Sequence, residues 1–105
     1  MTVSMMIGYP KGGNFNAEYY LNKHMPIVNP VWKPFGMGNW RAMAPTDTDK
    51  SPYAMLVEIE WPDMESFQRA MAETPAEKTK EIMDDLKNYT EKEPVVWFME
   101  KAGGS

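Results

Sequence analysis

The chain contains no cysteine, which excludes disulfides, thiolate metal sites and cysteine nucleophiles. The same lack fits a cytoplasmic setting. Histidine is almost as scarce: His24 stands alone among 105 residues, so no multi-histidine metal centre can form. No apolar run approaches the ~20 residues that cross a bilayer. The amino end "MTVSMMIGYPKGG" also lacks a basic region ahead of a long hydrophobic segment, so neither a membrane nor export is expected. Positive charge is in short supply as well, with 11 Lys and Arg against 15 Asp and Glu and a net charge of −4. No basic stripe interleaved with aromatics is present, which argues against nucleic acid as a partner.

What remains is globular in kind: 43% hydrophobic and 25% charged residues. This length makes one domain, read as residues 1–100, with "KAGGS" (101–105) as a flexible tail. Two residue classes are plentiful. The chain carries 11 methionines, together with four Trp, five Tyr and four Phe. Methionine adapts to irregular shapes and to flat aromatic neighbours, so these residues suit either a plastic core or a cavity for a flat, apolar ligand.

Periodicity supplies the elements. "TVSMMIGY" alternates Val3, Met5, Ile7 and Tyr9 against Ser4, Met6 and Gly8, as a strand does. "YAMLVEIEW" places Tyr53, Met55, Val57, Ile59 and Trp61 on one face. "GNWRAM" and "PVVWFME" read as shorter strands, "APTDTDKSP" as a polar hairpin loop, and "NPVWKPFGMG" as a connection. Helices are expected over "PDMESFQRAMAE", with Pro62 at its start, and over "AEKTKEIMDDLKNY" beyond Pro75. The order β-α-β-β-α-β is that of an α+β, ferredoxin-like domain with a four-stranded antiparallel sheet. Helices then cover one sheet face only. The other, expected to carry Leu56, Met6 and a share of Val96, Phe98 and Trp40, is too apolar for water. It predicts a homodimer paired through that face.

The remaining helix covers "NAEYYLNKHMPIV", capped by Asn16. At about 100° per residue, Ala17, Leu21 and Val28 share one arc, and His24 lies near its middle rather than among Glu18, Asn22 and Lys23. Pro26 lacks an N–H and disfavours helical geometry at Met25, so the helix is expected to kink or fray just past His24. An inward imidazole has two readings. It is a general acid–base poised near neutrality, with Tyr20 one turn earlier to bond it or the substrate, or it is a structural histidine tied to a carbonyl freed by Pro26.

"FNAEYYLNKHMPIV" resembles the signature of the EthD family, with its tyrosine pair followed by His-x-Pro. Length and element order agree over residues 2 to 100, although Asn16 stands where the family usually has aspartate. The resemblance implies a dimeric α+β barrel, with a pocket between the sheet and its own helices. It also implies an oxidoreductase-like activity of unspecified reaction; relatives in the wider superfamily include cofactor-free monooxygenases, cyclases and isomerases. "WPDMESF" is similar to the superfamily's tryptophan six residues ahead of a helix phenylalanine, which places Trp61 at the wall that His24 faces.

The candidate site therefore comprises His24 and Tyr20 as catalytic residues, with Trp61, Tyr9, Met55, Arg41 and Trp97, and also Tyr53, around the substrate. Arg41 could hold a carboxylate or enolate oxygen, or instead bridge to Glu58 or Glu60 across the sheet. "KGGN" lacks the Gly-Lys-Ser/Thr ending of a phosphate loop, and "GMGNWR" has no helix after it, so no nucleotide site is expected. "DTDKSPYAMLVE" matches calcium-loop positions but puts proline where the sharp turn needs glycine. Neither metal nor cofactor is expected. Two functions stay open: a small enzyme that moves a proton on a hydrophobic carbonyl or phenolic molecule, and a non-catalytic dimeric module that binds a hydrophobic metabolite.

Overall fold

The computed structural model describes residues 2–104. Four strands, β1 (Val3–Pro10), β2 (Trp40–Met43), β3 (Tyr53–Trp61) and β4 (Val95–Glu100), form one antiparallel sheet in the order β2-β3-β1-β4. The helices are α1 (Ala17–Tyr19), a π-helical turn (Tyr20–His24), α2 (Met25–Trp32), α3 (Met64–Glu73) and α4 (Ala76–Asp85). This is the ferredoxin-like α+β arrangement, a split β-α-β motif used twice. Residues 101–104 form no helix or strand, and Ser105 of the expected tail lies outside the described residues, as does Met1.

Alternation along β1 and β3 builds the core. Met5 faces Ile59 and Ile7 faces Val57 across the ladder, and all four are buried under the helices. Trp61, 1% exposed, is held between Trp32 and Phe67 at ring-centroid distances of 6.1 and 5.6 Å. Helix starts follow their caps: the Asn16 side chain accepts from the Tyr19 N–H, and the Asp63 side chain accepts from the Ser66 N–H. Asp63 is thus the cap of α3, and Pro62 stands one residue outside it.

Three expectations are corrected. The chain does not fray at Pro26. It widens into a π turn in which the Met25 N–H reaches the Tyr20 carbonyl, and Pro26 then sits in the first turn of α2, directly after that wider turn. Helix α2 consequently takes in Asn29–Trp32, which had read as connection. The wider turn also moves Leu21 out to solvent and brings Tyr20, His24, Met25 and Val28 inward.

The second correction concerns the sheet faces. Met5 pairs with Phe98, Ile7 with Val96 and Ile59 with Trp40, so Phe98, Val96 and Trp40 lie on the helix side. Third, a register shift at Tyr9/Pro10 turns the Tyr53 ring outward over Gly8, where a Cβ would lie 2.6 Å from it. There Tyr53 stacks on Trp97 at 5.9 Å. The bare face thus carries Met6, Leu56, Trp97, Met43, Val95 and Met99, the last three more than 40% exposed. The molecule is a slab only 19 Å thick in its shortest dimension, as one sheet and one helix layer should be.

Candidate active site

His24 ends the π turn, 5% exposed, between two phenol rings. Tyr20 stacks on the imidazole at 5.5 Å, and Tyr89 tilts against it at 4.6 Å. Tyr20 packs on His24 without hydrogen-bonding it; the bonded partner is Asp85, whose Oδ2 lies 2.9 Å from His24 Nδ1. Sequence reasoning had offered a carbonyl freed by Pro26 for that place. The observed partner is a carboxylate from the last residue of α4, itself only 8% exposed. Its other oxygen, Oδ1, accepts from the Tyr19 hydroxyl at 2.6 Å and from Asn88 Nδ2 at 2.9 Å.

Electrostatics follow from this packing. Burial lowers the His24 pKa, against the upward pull of the Asp85 hydrogen bond and charge. For Asp85, burial pushes the carboxyl up, but the bonds from Tyr19, Asn88 and His24 outweigh it and hold the group below the usual carboxylate range. The ring is therefore mainly neutral and the carboxylate ionised near pH 7. Tyr9 and Tyr89 share a hydroxyl–hydroxyl bond of 3.0 Å. Burial pushes both phenols, and that of Tyr20, well above their ordinary range, so all three keep their protons.

Beside the imidazole is an apolar cavity of about 140 Å³, walled by His24, Tyr9, Tyr20, Tyr89, Met5 and Trp32. Its lining runs out between α4 and β4 to Met83, 58% exposed, and Val96, 46% exposed. Among the described residues, His24 Nε2 has no hydrogen-bond partner, yet it is not sealed off; the sealed, partnerless polar atom of the core is Trp61 Nε1. His24 is among the residues that line the cavity, and of its two nitrogens Nδ1 is the one taken up by Asp85.

Of the residues expected around a substrate, Tyr9 lines this cavity. Trp61 does not: it is one ring removed, behind Trp32. Met55 pairs with Tyr9 and is packed in the core short of the hollow. Arg41 and Trp97 stand on the opposite face of the sheet, because their ladder partners Glu58 and Met6 point away from the helices. Arg41 there contacts Glu58 at 3.0 Å and Glu60 at 3.5 Å, the cross-sheet alternative weighed for it. Arg41, Glu58 and Glu60 border a wider open depression of about 450 Å³ that holds these paired charges. Asp85, Tyr19 and Tyr89 were missed. A signal existed for Asp85, which lies three residues after Ile82 and four before Tyr89, on the inward arc of its helix.

Neither a family model nor a curated protein matches the chain by sequence. Its fold is found in solved structures. An EthD-like protein from Ralstonia eutropha superposes with a TM-score of 0.77 at 23% identity, covering 99% of this chain and 95% of that one. A dimeric ferredoxin-like protein from Jannaschia gives 0.66 at 14% identity, with 96% and 100% covered. SnoaB, a cofactor-independent oxygenase from Streptomyces nogalater, gives 0.63 at 13% identity, with 98% and 95% covered. At these identities the likeness establishes a shared ferredoxin-like fold, with EthD-like proteins among its bearers.

Proposed function

We propose that this chain is a small EthD-like enzyme that moves a proton on a hydrophobic carbonyl or phenolic molecule, with His24 as the base. One observation carries the reading: a buried imidazole that lines an apolar cavity has one nitrogen taken up by Asp85 and the other unbonded. In the step proposed, Nε2 takes a proton from a phenol O–H or from a C–H beside a carbonyl. The imidazolium that forms lies against the Asp85 carboxylate. The electron pair left on the substrate makes it a phenolate or enolate, and whichever hydroxyl of the Tyr9–Tyr89 pair does not donate to the other is suited to donate to its oxygen. Tyr20 holds the ring in place by stacking. No cofactor is needed for this transfer, and the enolate is a shared starting point for isomerisation, cyclisation or reaction with dioxygen.

Size narrows the ligand. A dry cavity of about 150 Å³ accepts benzene, so about 140 Å³ fits one ring, with any remainder directed past Met83 and Val96. Partnership follows from the bare face. Its apolar side chains, the thinness of the slab and the dimeric neighbour support a homodimer closed through Leu56, Trp97, Val95 and Met99. Among the described residues, no helix is long and apolar enough to cross a membrane.

The test is turnover of single-ring phenols and cyclic diketones by the wild type, His24→Gln and His24→Ala, with affinity for the same compounds measured by calorimetry. Loss of a general base costs on the order of 10²- to 10⁴-fold in rate while affinity changes little. The scarcity of polar groups in the lining also suits a binding module, which predicts retained affinity and no product from any variant. Turnover unaffected by either substitution rules His24 out as the base.

A further inference from the structure

We propose that Asp85 is the positioning residue of the site: it holds the neutral His24 ring in the form protonated at Nδ1, so that the lone pair faces the cavity from Nε2. The argument begins with proton counting. An ionised carboxylate only accepts hydrogen bonds, and Asp85 is met by three groups: His24 Nδ1, the Tyr19 hydroxyl and Asn88 Nδ2. Each must donate. A neutral imidazole has one N–H, so a donating Nδ1 leaves Nε2 bare.

The placement is costly for a merely structural acid. Asp85 is buried, it sits at the C-terminal end of α4 where the helix dipole opposes negative charge, and no Lys or Arg is among its bonded partners. A helix rich in alternatives puts Asp84 out toward Lys80 and Asp85 inward. The three donors offset that cost and also stop the carboxylate from rotating. Tyr19 reaches it from α1 and Asn88 from the turn after α4, so the acid is fixed from both sides of the imidazole's own turn. Tyr20, Tyr89 and Asp85 are the titratable groups that face the ring, and only Asp85 carries charge near neutrality.

The inference rests on the proposed role of His24 for its catalytic meaning, but its structural content is measured without substrate. Because His24 is the sole histidine, ¹⁵N-labelled protein shows a single imidazole, whose two nitrogens report directly which one carries the proton. The wild type is expected to be protonated at Nδ1 near pH 8. In Asp85→Asn, the amide can donate to Nδ1, and the proton is expected to move to Nε2. Tyr19→Phe keeps the acceptor and hence the tautomer, but makes Asp85 a stronger acceptor, so the His24 titration moves to higher pH. With a turned-over substrate, Asp85→Asn should lower kcat on the order of 10²- to 10⁴-fold with little change in KM. A wild-type ring protonated at Nε2 overturns the inference. So does a Tyr19→Phe protein whose His24 titration is the same as that of the wild type. Should the tautomer be as stated while His24→Gln leaves turnover intact, the assignment of Asp85 stands and the enzymatic role of His24 fails.

Discussion

The two faces of this sheet come from the same four strands, residue by alternate residue, and end up in opposite environments. On the helix side Val3, Met5, Ile7 and Tyr9 lie against Met55, Val57, Ile59 and Trp61, none more than 8% exposed. On the bare side Leu56, Trp97 and Tyr53 share space with the salt-bridged Arg41, Glu58 and Glu60, and Val95 and Met99 are 47% and 49% exposed. Composition alone does not separate them, since both carry tryptophan and methionine. Covering does. A face closed by its own helices can be kept dry enough to hold a neutral histidine beside an apolar cavity. A face left open must be compatible with water and, in the proposed homodimer, also fit a second copy, which suits a mixture of apolar and charged groups.

The largest expected effect tests that contrast directly. Trp61→Ala removes a fully buried ring packed on Trp32 and Phe67, and should cost about 3–5 kcal/mol in urea unfolding followed by circular dichroism. Trp97→Ala, on the open face, should cost about 1 kcal/mol or less at protein concentrations too low for association. Equal losses would mean that the two faces are packed alike.

Assembly gives the next largest effect. Val95→Lys together with Met99→Lys sets charge on the open face, where a two-fold axis would bring each lysine near its copies. Light scattering should show the wild type at twice the chain mass and the double variant at the chain mass, with unchanged far-ultraviolet circular dichroism. A variant that stays dimeric moves the interface elsewhere.

Much of the fold could be read from residues, and what could not has identifiable causes. Strand β3 alternates without a break from Tyr53 to Trp61, and its boundaries were legible as they stand. Asn16 was legible as a cap because its side-chain chemistry is local. Pro26 was misjudged because proline ends a helix from within but opens one from its first turn, and only the π turn decides which. The faces of β4 were unreadable since "VVWFM" is apolar throughout, and without alternation nothing sets register. His24 was found because it interrupts an apolar arc. Asp85 does the same on α4, but its twin Asp84 made the pair look like a solvated acidic surface. The long-range contact across 61 residues is what no local pattern contains.

The smallest effects come from two side-chain pairs, one on each face of the sheet, that are nearly the same length. His24–Asp85 is 2.9 Å and buried; Arg41–Glu58 is 3.0 Å with the arginine side chain 60% exposed. Exposed pairs contribute little because water and salt screen them, so Arg41→Ala should cost about 0.5 kcal/mol or less, and the loss should shrink in high salt. The buried pair responds to acid instead. The folded His24 pKa lies below its ordinary 6.5 and that of Asp85 below its ordinary 3.8. In each case the unfolded chain binds the proton more readily. The contribution of His24 is therefore complete above pH 6.5 and is lost as pH falls through the lower folded value; that of Asp85 is complete above 3.8 and lost on further acidification. Unfolding midpoints should accordingly drop between pH 7 and 5 in the wild type and in Arg41→Ala alike, and drop less in His24→Gln. A His24→Gln protein as acid-sensitive as the wild type over that interval would show that the imidazole is as readily protonated in the fold as in the open chain, and the dry environment argued for it would be lost.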